Sequence, residues 1–261
     1  MAREPGPRDL LELYLGSGAD EAIGDAPRNR LAEPQAPTPQ PSRPPAAKPA
    51  SGALPPVAQS AQDIAAACAT VDDLVAAIRG FDGCALKETA TNTVIYDGDP
   101  QAPLLILGEA PGAEEDRRGL PFVGRAGRLL DRMLAAIDLD RSGVCISNML
   151  FWRPPGNRSP TADEIAACLP FARRLIELAA PRVLVFVGGI SAKAMLGRSE
   201  GITRLRGIWH RYSSPGLPQA IDAIATFHPA YLLRQPMQKR EAWRDLLAVK
   251  ARLIDDRPVG G

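Results

Sequence analysis

The sequence predicts an α/β protein: a mostly parallel sheet with helices on both faces. Two observations carry this. Short apolar runs alternate with longer amphipathic stretches through most of the chain, the pattern of strand, crossover helix and parallel strand. In addition, glycines, prolines and isolated polar residues collect directly after the apolar runs, where an open α/β sheet presents its ligand site. With 261 residues, 45% of them hydrophobic and 23% charged, the chain is long enough for one sizeable core plus an appendage.

Taken in order, residues 9–16 (DLLELYLG) form a short amphipathic segment within 1–26, stopped by Gly16 and too short to fold alone. From Pro27 to Pro56 there are ten prolines in thirty residues, a composition that cannot bury enough apolar surface to offset its ordering entropy. A disordered linker is therefore expected over 27–62 and one ordered domain over 63–257. The domain opens with helix-forming DIAAACATVDDLVAAIRG, with apolar Ile64, Leu74, Val75 and Ile78 and a closing Gly80. TVIY (93–96), LLIL (104–107), VCISNML (144–150), VLVFVG (183–188) and AIATF (223–227) read as strands. GRLLDRMLAAI (127–137), Thr161 to Ala179, ISAKAMLG and Gln238 to about Ile254 read as the intervening helices.

The net charge of +1 gives no global attraction to nucleic acid or membrane, so an anionic partner must be met by a local patch. The N-terminal MAREPGPRDLLELYLG lacks the features of a signal peptide and no run reaches the ~20 apolar residues of a membrane span, so a cytoplasmic, membrane-free protein is expected. Cys68, Cys84, Cys145 and Cys168 are separated by 16, 61 and 23 residues with no CxxC; separate buried thiols are the simplest reading.

Four strand ends carry chemistry. LLIL runs into GEAPG with Glu109, CIS into Asn148, VLVFV into Gly188-Gly189-Ile190-Ser191, and AIATF into His228-Pro229. A carboxylate, a carboxamide and an imidazole can thus converge on one pocket. Taken singly, each also has an ordinary reading: Glu109 and Asn148 as turn residues, Phe122 as a core aromatic, and His228, like His210, as a structural histidine.

Together, GEAPGAEEDRRGLPFVGRAG, SNMLFWRPPGNRSPT and FHPAYLLR resemble the family 4 uracil-DNA glycosylases, over roughly Phe81 to Leu253. The resemblance implies a three-layer α/β/α sandwich around a central four-stranded parallel sheet, and a monofunctional enzyme of base excision repair that flips uracil out of DNA and hydrolyses its N-glycosidic bond, leaving an abasic site. It implies Glu109 and His228 as catalytic residues, the first for water and the sugar cation, the second for O2 of the leaving base. Phe122 would stack on the base, Asn148 would read its edge, and Ala110 and Gly112 would line the base pocket. Ser191, Pro154 and Pro155 would meet the DNA backbone, and Leu232 and Leu233 would form a wedge beside Arg234. Arg125, Arg128 and Arg132 offer a candidate phosphate patch.

An extruded base explains these residue types, because it must be stacked and read on its polar edge. A carboxamide can pair with O4 and N3–H together, a pattern that cytosine inverts. No lysine falls in GEAPG or HPAYLL to form a Schiff base.

Members of this family usually hold a [4Fe-4S] cluster on four cysteines; the corresponding positions here are Phe81, Cys84, Trp152 and Cys168. Cys84 and Cys168 are remnant ligand positions. Phenylalanine and tryptophan cannot coordinate iron, so no cofactor is expected, with Phe81 and Trp152 filling the volume. The alternative functions are a non-catalytic nucleic-acid-binding relative of the same fold, or one that traps the abasic sugar covalently; SNMLFWRPPGNRSP lacks the histidine-bearing loop that trapping requires. The expected partners are uracil-containing DNA and a protein for the N-terminal helix, with the enzyme itself a monomer.

Overall fold

The computed structural model describes residues 56–255; the segment 1–26 and the predicted linker up to residue 55 lie outside the described residues. The elements run α1 (Pro56–Ala67), α2 (Val71–Gly80), α3 (Leu86–Thr89), β1 (Tyr96–Gly98), β2 (Leu104–Gly108), α4 (Ala113–Arg118), α5 (Arg125–Ala135), β3 (Cys145–Asn148), α6 (Ala162–Ala179) and β4 (Val183–Val187). There follow α7 (Gly189–Leu196), α8 (Ile202–Leu205), β5 (Trp209–Tyr212), β6 (Ile221–Thr226), α9 (Pro229–Arg234) and α10 (Lys239–Ile254).

The linker expectation is corrected at its end, because residues 56–62 belong to α1 rather than to a linker. The alanine-rich sequence explains it: Ala58, Ala61 and Ala65 recur on one helical face and are buried.

The sheet order is β1-β3-β2-β4-β6-β5. The four central strands, β3, β2, β4 and β6, are parallel. The expected count of four is nonetheless corrected to six, because β1 and β5 add antiparallel edges. The edge strand β5 was hidden by its composition: WHRY carries His210 and Arg211, and only Tyr212 of its four residues is buried. The strand read over 93–96 begins instead at Tyr96, although Val94 still bonds to the chain, its N–H donating to the Phe151 carbonyl.

Burial on both faces explains why β2 and β4 are uninterrupted apolar runs. Leu105 and Leu107 of β2 join Leu184 and Phe186 of β4 in one core, under α1, α2 and α6. Their neighbours Leu104, Ile106, Val183 and Val185 face the other way, onto Leu130 and Leu134 of α5 and Leu246 and Val249 of α10. Strand alternation thus produces the three layers. Capping boxes at Thr70 and Thr161 start α2 and α6.

The first core includes the remnant cysteine positions. The Phe81 ring packs edge-on against Phe171 with centroids 4.9 Å apart, and Phe151 lies between Phe171 and Trp152, at 6.5 and 6.1 Å. The Trp152 indole N–H donates to Thr93 Oγ1 at 3.1 Å. Among these rings the Cys84 and Cys168 sulfurs stand 4.0 Å apart as free thiols. Their hydrogen bond, reinforced by burial, raises the Cys168 thiol well above the ordinary range and keeps it protonated.

Candidate active site

At the carboxyl edge of the parallel strands a pocket of about 450 Å³ opens. Glu109, Phe122, Asn148 and His228 all line it, from three strand ends and one turn. Ala110, Gly112, Pro154 and Arg234 line it as well, so the predicted base-pocket residues share one cavity.

Register places Asn148 beside Gly108, its partner across β2 and β3. A Cβ on Gly108 would collide with the Asn148 carboxamide and the Phe122 ring, so glycine is what lets both side chains crowd onto the strand end. Asn148 is 1% exposed, and its Oδ1 has no hydrogen-bond partner among the described residues. An unpaired buried acceptor costs about 1–3 kcal/mol; here the unused lone pairs suit a ligand donor.

His228 caps α9. Its Nδ1 accepts the Ala230 N–H at 3.1 Å, and Pro229 follows at the first helical position. Accepting at Nδ1 leaves the ring proton on Nε2, so the neutral imidazole has one donor to offer. Burial, assisted by the Arg234 charge, pushes its pKa down to about 4. The Phe122 ring lies 5.6 Å from the imidazole at a 31° tilt.

Glu109, half-buried after the all-buried strand LLILG, has its pKa raised by burial alone. Desolvation disfavours its charge and makes it a stronger proton acceptor once ionised. Phe122 sits at φ 53°, one of the few non-glycine residues in the left-handed region among those described, a strain of roughly 1–2 kcal/mol.

The backbone-contact residues divide. Leu232 is 1% exposed and packed in the second core, whereas Leu233 is 38% exposed. Consecutive helical residues point about 100° apart, so Leu232 is held in the core and only Leu233 stands at the surface, where the expected wedge would have to be. Ser191 is buried, with its hydroxyl bonded to the Val187 and Gly188 carbonyls at 3.1 and 3.2 Å. Pro154 is buried and Pro155 exposed, while Arg125, Arg128 and Arg132 are exposed along α5.

Lining residues that were given no role from the sequence include Glu115, Arg158 and Tyr231. Glu115 accepts the Gly124 N–H at 2.8 Å and so ties α4 to the start of α5. Arg158 donates twice to Glu164, at 2.9 and 2.6 Å, and its hydrogen bonds hold the Glu164 carboxyl at about 2. Tyr231 enters from α9. Glu115 lay within the quoted GEAPGAEED and Tyr231 within HPAYLLR; an acidic run and a helix aromatic gave no separate signal.

For a four-cysteine cluster the donor set does not fit: two sulfurs, one phenyl ring and an indole occupied with Thr93. Among the described residues no group of three or more His, Cys, Asp or Glu side chains is arranged to hold a metal ion. No described helix is long and apolar enough to cross a membrane.

The profile of the Uracil DNA glycosylase superfamily matches residues 95–247. The chain is 37% identical over 173 residues to the type-4 uracil-DNA glycosylase of Pyrobaculum aerophilum, covering 65% of this chain and 87% of that protein. It is 38% identical over 176 residues to that of Archaeoglobus fulgidus (66% and 87%) and 39% over 164 residues to that of Thermotoga maritima (60% and 80%). With the matched span enclosing β2, β3, β4 and β6 and three of the pocket's four principal side chains on their ends, the chain belongs to the uracil-DNA glycosylase superfamily, alongside its type-4 members.

Proposed function

We propose that this protein is a monofunctional uracil-DNA glycosylase that hydrolyses the N-glycosidic bond of uracil in DNA and leaves an abasic site. The observation that carries the reading is the unpaired Asn148 Oδ1, buried in a pocket that also holds Glu109, Phe122 and His228. A pocket built for a base needs an apolar face and an unpaired polar edge, and here both are present.

The Asn148 carboxamide accepts N3–H and donates to O4, while the Phe122 ring supports the base plane. As the C1′–N1 bond breaks, its electron pair passes to the uracil ring and charge gathers on O2. His228 Nε2–H donates to that oxygen, and a neutral donor already aimed at the developing charge needs no proton transfer to act. Glu109 stabilises the cationic sugar and orients a water, whose oxygen bonds to C1′. The water's proton goes to the carboxylate and on to solvent, and the uracil anion takes one up.

DNA is held by Arg158 and Arg234 at the pocket mouth, by the Pro154-Pro155 loop and by Leu233 as the wedge. The chain works as a monomer and without an iron–sulfur cluster, because Phe81 and Trp152 supply packing where the family supplies ligands. The N-terminal segment docks a partner protein.

The test is alkaline cleavage of a uracil-containing oligonucleotide after incubation with wild type, Glu109→Ala, Asn148→Ala or His228→Ala. Each substitution is expected to slow release by about 10²-fold or more; wild-type rates in all three would remove the mechanism. Stoichiometric iron with absorbance at roughly 400 nm in freshly purified protein would overturn the cluster-free reading.

A further inference from the structure

Resting on the reading of Phe122 as the base's support, we propose that Arg141 is a positioning residue for base recognition, acting entirely through Phe122. Arg141 lies in the turn Arg141–Gly143 between α5 and β3, away from the pocket lining. Its guanidinium converges on the PFVG turn, with Nη1 donating to the Pro121 carbonyl at 3.1 Å and Nη2 to the Phe122 carbonyl. The same group is anchored from two other elements, by Asp97 of β1 at 2.5 Å and Asp131 of α5 at 2.8 Å. Three of its nitrogens are therefore engaged, and the side chain is only 25% exposed.

The site of this convergence is the residue that needs it. Phe122 adopts φ 53°, which a phenylalanine does not favour when free. Helix α5 also presses on the same carbonyl, since a Cβ at Gly127 would overlap Phe122 O. Gly127 therefore leaves the space, and the Arg141 fork supplies the hydrogen bonds that hold the carbonyl in it. Released, Phe122 relaxes toward the ordinary extended or helical regions, and its ring leaves the wall it shares with Asn148 and His228. A lysine cannot replace the fork: its ammonium is a single point, whereas the planar guanidinium reaches two carbonyls and two carboxylates at once.

The experiment is a double-mutant cycle under single-turnover conditions, with a uracil-containing oligonucleotide as substrate and free uracil as a competing inhibitor. Wild type, Phe122→Ala, Arg141→Ala, Arg141→Lys and the Phe122→Ala/Arg141→Ala double variant are compared, with thermal melts as a check on folding. Stacking of a base on an aromatic ring corresponds to roughly 5- to 150-fold, so Phe122→Ala should lose activity within that range.

Arg141→Ala and Arg141→Lys should each lose up to as much, with uracil inhibition weakened in the same proportion. The double variant should match Phe122→Ala within about twofold, because the route through Phe122 is already cut. Arg141→Lys keeps a cation for Asp97 or Asp131 and so remains informative if the alanine variant does not fold. Wild-type kinetics in Phe122→Ala would remove the base-support reading, and this proposal with it. An impaired Phe122→Ala beside fully active Arg141 variants, or losses that multiply in the double variant, would overturn the role of Arg141 alone.

Discussion

Replacing Asn148 with leucine should move activity and stability in opposite directions. Among the described residues Asn148 Oδ1 is buried without a partner, and leucine has nearly the same shape with no polar atom to desolvate. Removing the orphan acceptor returns about 1–3 kcal/mol. For a domain of this size each kcal/mol is worth about 2–4 °C, so the melting temperature should rise by about 2–12 °C.

Activity answers to the other side of the balance. The lost bidentate contact is worth about 1–3 kcal/mol, and uracil's own N3–H and O4, left unpaired in the pocket, add a similar cost. The sum corresponds to a fall in kcat/KM of roughly 30- to 3 × 10⁴-fold. The assays are differential scanning calorimetry and uracil release under single-turnover conditions. A leucine variant that melts lower than wild type while still releasing uracil normally would refute the reasoning, since it would make Asn148 a structural residue with an unseen partner.

The pH profile should identify Glu109. Its carboxyl is raised by burial above the usual glutamate value, whereas His228 is pushed down to about 4. On acidification Glu109 is therefore the first of the two to take up a proton and lose its charge, so kcat/KM should fall on the acid side through a pKa above 4.5. Glu109→Gln should show a low rate without that acid limb; an unchanged limb in this variant would reassign it. In the aromatic core, Trp152→Ala should cost about 3–5 kcal/mol in urea denaturation, while prolonged treatment of wild type with an iron chelator should cost nothing. A drop in wild-type stability after chelation would show that metal contributes to the fold.

The central sheet was legible because its strands are buried on both faces, so LLIL and VLVFV are unbroken apolar runs that leave little choice of register or layer. The edges were not legible for the converse reason. WHRY in β5 is only partly buried and polar in the middle, and β1 is three half-buried residues.

Glu109, Asn148 and His228 could be picked out as special residues directly after apolar strands, a position that fixes location without knowledge of the partner. Leu232 and Leu233 are adjacent in sequence, yet only the turn of α9 separates the core residue from the surface one. Arg141 was beyond sequence reading altogether. Its importance lies in four contacts to segments 10 to 44 residues away, and in sequence it is one arginine among many.

The rings of Phe81, Phe151, Trp152 and Phe171 also bear on the circumstances in which the enzyme can be made. A repair protein whose core is closed by side chains can fold as soon as its polypeptide is complete, without waiting for cluster assembly or competing for scarce iron. On the proposed cluster-free reading, the supply of folded enzyme depends on its own polypeptide alone.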